Sequence, residues 1–282
     1  MTRSRFLLSA LVVVTAAVAR GDEASRRLFA GGDPVSWDAV ARRARDARVV
    51  YVGEEHGNPA HHLLQRDLLA QLAVAGPAVL GCEYFPLSLQ PVLDRFNAGE
   101  LTVDELRAAA RWDEVWRHDW DAYRPLFELC AERRIPVLAL NAELDDVKEV
   151  RKKGLTGVPL DVLARLPRLD LDAPAHRARV LEQLQEVHPM PAEMLERYYQ
   201  AFTVWDESMA ASVCDVFLRD RRPGLRMLVV AGRAHVEGGG TGIPDRVSRR
   251  LPLTRLTVVC GEADPGAADV VLAPPLDPGA WY

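Results

Sequence analysis

Short apolar segments recur along the chain, and most of them end in a glycine or a polar residue. These segments cover residues 48–52, 78–82, 135–140, 227–231 and 256–260, with a possible edge segment at 269–272. Nearly continuous apolar strands that alternate with helical segments are typical of a parallel sheet with helices on both faces. The pattern therefore predicts an α/β fold with a mainly parallel central sheet flanked by helices.

The first helix after a strand has clear sequence signals. Asn58 is suited to the N-cap and Pro59 to the first helical position. Leu64, Leu68 and Leu72 then recur at helical spacing, which predicts one apolar face directed at the sheet.

Two stretches between strands, 97–134 and 160–222, are much longer than a single crossover helix. Thr102 and Glu105 form a capping-box pattern that starts a helix in the first stretch. We expect both stretches to be helical excursions that form an inserted subdomain over the carboxyl edge of the sheet, within one domain covering residues 30–282.

The N-terminus has the pattern of a secretory signal peptide over residues 1–19. Arg3 and Arg5 precede an apolar run at 6–19, which ends in a small-x-small triplet with cleavage expected after Ala19. The alternative is a membrane anchor, but the run is shorter than the ~20 residues that a spanning helix needs. We therefore expect an exported chain, periplasmic or secreted, with no transmembrane helix once it is mature.

The composition is that of an ordinary globular protein, with 282 residues, 49% of them apolar and 27% charged. A formal net charge of -5 without a long basic run argues against nucleic-acid binding. The four cysteines lie in apolar segments without paired spacing, so we expect buried thiols rather than disulfides or a metal cluster.

Ionisable side chains gather at the predicted strand ends. Two Gly-x-x-His motifs, at residues 53–56 and 232–235, each follow a strand, and Glu83 ends a third one. The carboxyl ends of parallel strands meet at one edge of a sheet, where open α/β folds bind ligands. We therefore expect one pocket that contains four of these side chains: Glu54, His56, Glu83 and His235.

Two imidazoles and two carboxylates suit either a transition metal or an acid–base pair. With a divalent metal held by His56, Glu83 and His235, Glu54 would be the general base of a hydrolase. The alternative is structural, with these side chains capping helices and ordering the sheet edge. Three more polar residues are expected nearby: Glu55, Asn141 and Arg233.

The two helical excursions carry aromatic side chains at helical spacing. One set is Trp112, Trp116, Trp120 and Tyr123, and the other is Tyr198, Phe202, Trp205 and Met209. Such stripes usually form core, but two wide apolar faces also suit a flat hydrophobic ligand. Tyr199 and Asp206 share the neighbouring helix face. A tyrosinate can ligate ferric haem, with propionate partners among Arg124, Arg197 and Arg233.

Taken in order, the motifs along residues 48–261 resemble the ChaN family of haem-binding uptake proteins in the Tiki superfamily. They are Val52 to His56, Asn58 with His61, His62 and Gln65, Glu83 to Phe85 with Gln90, Trp120 to Pro125, Leu138 to Asn141, Gly154 with Leu155, Trp205 to Ala210, and Gly232 to His235 ahead of Gly242 to Pro244. Each motif is short, but their common order and spacing are specific.

The resemblance implies an exported haem- or iron-associated protein, with haem held by a tyrosine at the interface of a homodimer. Tyr198 and Tyr199 are then the candidate ligands, with Trp205 and Arg124 as haem contacts. Family members are often lipoproteins, and this chain lacks the lipid-accepting cysteine. The superfamily also includes metal-dependent peptidases with the same paired Gly-x-x-His and Glu pattern, so the sequence leaves open whether the protein is an enzyme.

Overall fold

The computed structural model describes residues 26–187, 190–238 and 241–275. The expected signal peptide, residues 1–19, lies outside these ranges. Eight described strands form one sheet: β1 (Arg27–Ala30), β2 (Asp33–Pro34), β3 (Val49–Glu54), β4 (Ala78–Pro86), β5 (Val137–Asn141), β6 (Arg226–Gly232), β7 (Arg255–Cys260) and β8 (Val270–Ala273). The strand order across the sheet is β2-β1-β8-β7-β3-β6-β4-β5.

Eleven α-helices in the described ranges surround this sheet. They are α1 (Trp37–Asp46), α2 (Pro59–Ala75), α3 (Gln90–Asn97), α4 (Val103–Ala109), α5 (Trp112–Val115), α6 (Trp120–Arg133), α7 (Leu144–Lys153), α8 (Leu160–Arg165), α9 (Pro174–Val187), α10 (Ala192–Arg219) and α11 (Ile243–Arg250).

The sheet is parallel from β8 to β5, and only the short β1 and β2 pair antiparallel. The predicted α/β fold is confirmed, and each of the six predicted segments forms a strand. The sequence did not predict β1 and β2, because four and two residues are too few to establish a period of two.

Three neighbouring strands place the Gly-x-x-His motifs and Glu83 together. In the register of the sheet, Glu54 at the end of β3 lies opposite Gly232 at the end of β6. On the other side of β6, Cys82 of β4 lies opposite Val230, so Glu83 follows at the same edge. The strand order therefore brings both motifs to the carboxyl edge of the sheet beside Glu83.

The helix α2 begins as the sequence predicts. The Asn58 side chain accepts a hydrogen bond from the Ala60 backbone N–H at 3.1 Å, and Pro59 is the first helical residue. Leu64, Leu68 and Leu72 are fully buried in the core. The helix consequently covers the central strands and fixes the loop that carries His56.

The tryptophan stripe does not lie on one helix. Trp112 belongs to α5 and Trp120 to α6, and between them Arg117 has a φ of 68°. That left-handed residue turns the chain, because it ends the helical hydrogen bonding after Trp116. By contrast, α10 runs unbroken for 28 residues. No described helix is long and apolar enough to cross a membrane.

All four cysteines, Cys82, Cys130, Cys214 and Cys260, are buried free thiols. This confirms the expectation from their positions in apolar segments. Burial raises the pKa of Cys214 to about 11, because the thiolate loses its solvation. These thiols are packing residues and stay protonated at neutral pH.

Candidate functional site

His56, Glu83 and His235 meet at the carboxyl edge of the sheet. The Gly232 backbone N–H donates to Glu83 Oε2 at 2.6 Å, and His235 Nε2 lies 3.4 Å from Glu83 Oε1. A Cβ atom at Gly232 would stand 3.0 Å from His56 Nε2 and 3.6 Å from Glu83 Oε2. Glycine at position 232 therefore allows both imidazoles to approach the same carboxylate.

Glu54 lies beneath His56 in a dense hydrogen-bond network and is 1% exposed. Its Oε1 accepts from His56 Nδ1 at 2.9 Å. Four more side chains surround the carboxylate: Gln65 and Tyr84 at 2.6 Å, and His62 and Tyr123 at 3.3 Å. A buried carboxylate with this many donors is satisfied as an anion.

The charges of Glu54 and His56 support each other. Burial alone would raise the pKa of Glu54, but the hydrogen bonds from His56 and His62 hold that pKa far below its ordinary value. Burial also acts to lower the pKa of His56, and the hydrogen bond to Glu54 with the charge of Glu83 reverses this, so its pKa is raised. Glu54 is thus a fixed anion that orients His56.

A second chain of hydrogen bonds orients His235. Arg246 Nη2 donates to His176 Nδ1 at 3.2 Å, and because a guanidinium can only donate, that nitrogen must be the acceptor. His176 Nε2–H therefore donates to Asp206 Oδ2 at 2.8 Å, and Asp206 Oδ1 accepts from His235 Nδ1 at 2.6 Å. This fixes both tautomers and leaves His235 Nε2 facing Glu83.

The chain from Arg246 to His235 is entirely buried, with Asp206 and Arg246 both at 0% exposure. Burial opposes ionisation of Asp206, but the charge of His235 and the bond from His176 lower its pKa well below the ordinary value. Burial also acts to lower the pKa of His235, but the negative charges of Glu83 and Asp206 outweigh it, so the pKa is raised. In contrast, burial lowers the pKa of His176, in agreement with its neutral tautomer.

A pocket of about 240 Å³ opens beside these groups. Its polar lining is His56, Glu83, His118 and Asn141, and its apolar lining is Tyr84, Pro86, Val115, Trp116, Leu144 and Trp205. The Asn141 amide donates to the Glu83 backbone carbonyl at 2.9 Å, which holds β4 and β5 together at the floor of the pocket. Asn141 Oδ1 is buried without a hydrogen-bond partner among the described residues.

The geometry does not support the metal predicted for His56, Glu83 and His235. In the described part of the chain, no group of three or more His, Cys, Asp or Glu side chains is arranged to hold an ion. The physical reason is that the Glu83 carboxylate is already engaged, because it accepts from the Gly232 backbone N–H and lies against His235 Nε2.

The aromatic residues of α10 join this cluster rather than form a separate cleft. The Phe202 ring stacks on His235 with centroids 4.4 Å apart and an angle of 17° between the planes. Trp205 lines the pocket, and the Trp116 ring meets His56 edge-on at 4.8 Å. The ionisable cluster at the strand ends and the aromatic face of α10 are therefore in contact through Phe202, Trp205 and Asp206.

Tyr198 and Tyr199 point to different sides of α10. Tyr199 is fully buried and contacts His176 at 5.6 Å, its hydroxyl donates to the Leu171 carbonyl at 3.3 Å, and burial raises its pKa. Tyr198 is half-buried, with the Arg151 guanidinium 5.4 Å from its ring centre. Neither tyrosine lines the strand-end pocket.

The remaining predicted polar residues lie outside the pocket. Arg124 pairs with Asp104 of α4 on the outer side of α6. Arg233 binds Glu237 at 2.9 Å and reaches Glu55 at 3.6 Å, which makes these residues a rim beside the Gly-x-x-His motifs. Arg197, a candidate for propionate binding, pairs with Glu193 at 2.7 Å.

Sequence reasoning did not assign site roles to the residues that support the two histidines. They are His62, Gln65, Tyr84, Tyr123, His176 and Arg246. His62 and Gln65 carried a signal, because they are polar residues on the apolar face of α2. His176 and Arg246 carried none, since only the packing of α9 and α11 against α10 brings them to Asp206.

The sequence matches the family model described as haem-binding uptake, Tiki superfamily, ChaN, over residues 40–247. This match includes both Gly-x-x-His motifs, Glu83 and the whole of α10. It therefore covers the strand-end pocket and both candidate tyrosines.

Two individual proteins extend the comparison. The solved structure described as cofacial haem binding to ChaN of Campylobacter jejuni superposes with a TM-score of 0.69 at 19% identity, over 87% of this chain and 95% of that one. The chain is 26% identical over 243 residues to the chloroplastic protein RETICULATA-RELATED 5 of Arabidopsis thaliana. That alignment covers 78% of this chain and about a third (32%) of the plant protein. The first comparison confirms the fold.

Proposed function

The chain belongs to the ChaN family of haem-binding uptake proteins in the Tiki superfamily, and from this premise we propose that it binds haem and serves in haem or iron uptake. The observation that carries the proposal is the family match over residues 40–247. Haem would supply the iron and the flat apolar surface, and the chain would supply an axial ligand and the contacts around it.

Tyr198 is the better candidate for that ligand. Its ring is half-buried, and no hydrogen bond to its hydroxyl is found among the described residues, so the oxygen is available to iron. The Arg151 guanidinium lies over the ring, 5.4 Å from its centre, and holds it in place through a cation–π contact. Tyr199 would have to leave the Leu171 carbonyl and lose its buried packing first.

The surface around Tyr198 suits one face of a porphyrin. Met194, one helical turn earlier on the same side of α10, is 39% exposed and offers an apolar contact. A single exposed helix face covers only one side of the ring system, so a second copy of the chain would cover the other. This supports the homodimer suggested by the family resemblance. Trp205 lies in the strand-end pocket and Arg124 is paired with Asp104, so neither is needed for this surface.

A hemin titration tests the proposal. The chain from residue 20 onward, Tyr198→Phe and Tyr199→Phe would each be titrated with hemin while the Soret band is recorded. We expect a saturable shift for the parent chain and Tyr199→Phe, and a lost or strongly altered band for Tyr198→Phe, because only that variant lacks the ligating oxygen. A parent chain without a saturable shift would overturn haem binding. A normal band in Tyr198→Phe would overturn the ligand assignment.

Export and dimerisation are separate parts of the proposal. The signal-peptide pattern of residues 1–19 supports export, and fractionation of a bacterial host that expresses the full chain tests it. A mature product that starts at Arg20 outside the cytoplasm is expected, and an uncleaved cytoplasmic product would contradict export. Mass measurement in solution with and without hemin tests the dimer, which we expect to form or strengthen when hemin is added.

A metal-dependent hydrolase was the other function suggested by the residues. It lacks support because His56, Glu83 and His235 meet one another instead of forming an open ligand set. Glu54, its expected general base, is enclosed by five side-chain donors. Elemental analysis of protein purified without chelator would reverse this ranking if it found a stoichiometric transition metal.

A further inference from the structure

We propose that helix α9 is an acid-released cover over the aromatic face of α10. At neutral pH an uncharged His176 holds the helix closed, and uptake of one proton by this imidazole expels α9 and uncovers Tyr199 and Phe202. The inference goes beyond haem binding and does not depend on it, because the hydrogen bonds that hold His176 come from Asp206 and Arg246.

The attachment of α9 depends more on polar contacts than on apolar burial. Among the apolar side chains of α9 that the structure describes, only Val180 is fully buried. Besides its one histidine, the helix is anchored by Arg177, which pairs with Glu196 of α10, and by Arg179, which donates to the Thr241 hydroxyl at 2.9 Å. A helix that buries so little apolar surface opens locally at a low cost in free energy. One further anchor can therefore decide whether it stays closed.

His176 is that anchor, and both of its ring nitrogens are already used. The residue is 2% exposed. Its Nε2–H donates to Asp206 Oδ2 at 2.8 Å, and its Nδ1 accepts from Arg246 Nη2 at 3.2 Å. A proton on Nδ1 would replace the second hydrogen bond by two opposed N–H groups and would place an imidazolium beside a buried guanidinium. The closed position therefore fits only the neutral ring.

The charged groups around His176 come from α9 itself, from α10, from α11 and from the turn after β6. Burial lowers the pKa of His176 below its ordinary value of 6.5, and the charges of Arg246 and Arg179 act in the same direction. Asp206 opposes them, but its other oxygen accepts from His235 at 2.6 Å, so its attraction is shared between two imidazoles. In the closed state the balance of these groups therefore disfavours a proton on His176.

The surface beneath α9 is aromatic. The His176 ring centre lies 5.6 Å from that of Tyr199 and 6.0 Å from that of Phe202, and Phe202 in turn stacks on His235. Both neighbours are uncharged, since burial raises the pKa of the Tyr199 phenol. The Tyr199 hydroxyl donates to the carbonyl of Leu171, in the segment that leads into α9. Displacement of α9 with this segment would free the hydroxyl and expose the aromatic face of α10 beside the strand-end cluster.

Proton linkage sets the direction and the pH window of the opening. In the open state His176 is in solvent and binds a proton with its ordinary pKa of 6.5, whereas its pKa in the closed state is lower. The closed state is therefore fully favoured above pH 6.5 and loses stability as the pH falls towards the closed-state pKa. One proton per opening raises the open fraction by at most about tenfold per pH unit. The pKa values of Glu54 and Asp206 lie far below this window, so the strand-end cluster keeps its buried anions.

Hydrogen–deuterium exchange followed by mass spectrometry tests the cover, with the chain from residue 20 onward, without hemin, between pH 7.5 and pH 5.5. After correction for the intrinsic effect of pH on exchange, the protection of the α9 amides should fall by up to about tenfold between pH 6.5 and pH 5.5, while α2 and β3 keep theirs. His176→Gln keeps a neutral donor and acceptor but cannot titrate. In that variant the protection of α9 should not depend on pH.

Two further variants separate the histidine from the other anchors. Arg179→Met removes a different anchor and keeps His176, so α9 should be less protected at every pH with a similar dependence on pH. His118→Gln removes an imidazole that packs against Trp116 instead of α10, and its α9 should respond to acid as in the parent chain.

Three results would overturn the proposal. The first is constant protection of α9 in the parent chain from pH 7.5 to pH 5.5. The second is the parental pH dependence in folded His176→Gln. The third is an equal loss of protection in α2 and β3, which would mean that acid unfolds the whole chain. If His176→Gln does not fold, a loss of the acid response in His118→Gln would equally contradict the assignment to His176.

Discussion

The strand-end cluster and the surface around Tyr198 differ in how completely the fold determines them. In the cluster, Glu54 and Asp206 are buried, and hydrogen bonds fix the orientation of each neighbouring histidine. Around Tyr198 the neighbouring side chains are exposed, with Arg151 5.4 Å from the ring and Met194 one helical turn earlier. A buried network is pre-organised before a ligand arrives, whereas a half-exposed side chain must be ordered by the ligand itself.

This difference separates two kinds of function. Chemistry on a bound molecule needs groups held within a fraction of an ångström, and the cluster provides such groups at a high cost in desolvation. Iron ligation at a surface needs one accessible oxygen and apolar contacts, which α10 offers through Tyr198 and Met194. Substitutions in the cluster should therefore change stability, and substitutions near Tyr198 should change hemin affinity alone.

The largest effect is expected for Asp206→Ala. It leaves His235, His176 and Arg246 without their shared buried anion, and loss of one partner in such a network costs about 3–5 kcal/mol. Asp215→Ala, on the same helix, removes an exposed ion pair with Arg219 and should cost at most about 1 kcal/mol. Urea unfolding measures the free energy of unfolding of both variants. Similar decreases in the two would contradict the difference between the buried cluster and the exposed ion pair.

The second-largest effect is expected at acid pH, where the buried carboxylates of the cluster should stabilise the fold less. The pKa values of Glu54 and Asp206 are lowered in the folded chain, so their stabilisation is complete above the unfolded values of 4.5 and 3.8 and is lost as the pH falls towards the folded values. The histidine pKa values shift in both directions and oppose one another.

We expect the free energy of unfolding to fall by on the order of 2 kcal/mol per carboxylate between about pH 5 and pH 2. Urea unfolding at several pH values measures this, and Asp206→Asn should show a flatter acid limb than the parent. Unchanged stability of the parent down to pH 3 would contradict the assignment of two buried anions.

Gly232→Ala should produce a smaller and more local effect. The new Cβ would stand 3.0 Å from His56 Cε1 and Nε2, so the imidazole must move, at a cost of about 1–3 kcal/mol. The free energy of unfolding, measured with urea, should drop while the Soret titration is unchanged. Gly266→Ala is the control, since a Cβ there has no atom within 4 Å. Parental stability of Gly232→Ala would argue against a precisely placed His56.

The smallest effect is expected for Arg151→Gln. The guanidinium is exposed, so its cation–π contact with the Tyr198 ring is worth at most about 1 kcal/mol, or roughly fivefold in hemin affinity. Lys152→Gln removes the same charge one residue away and should leave affinity nearly unchanged. Equal hemin affinity in both variants would remove Arg151 from the site, and a large loss of stability in Arg151→Gln would contradict the separation of the two regions.

The sequence predicted more of the sheet edge than of its surroundings. Residues 53–56 and 232–235 could be placed because each follows a long apolar strand, and parallel strands must end at a common edge. The tryptophan stripe was misleading, since spacing alone cannot reveal the left-handed turn at Arg117. Nor could the sequence show that the aromatic face of α10 meets the strand ends, because the contact between Phe202 and His235 joins distant parts of the chain.

By itself, then, the sequence determined the fold class, the two histidine motifs at strand ends and the family. These properties depend on the spacing of apolar residues and on the order of the motifs, and both can be seen in the linear sequence. The tertiary structure decided what His56 and His235 face. The partners of His235, Glu83 and Asp206, are remote from it in sequence, and only the strand order and the packing of α10 against β5 bring them within hydrogen-bonding distance.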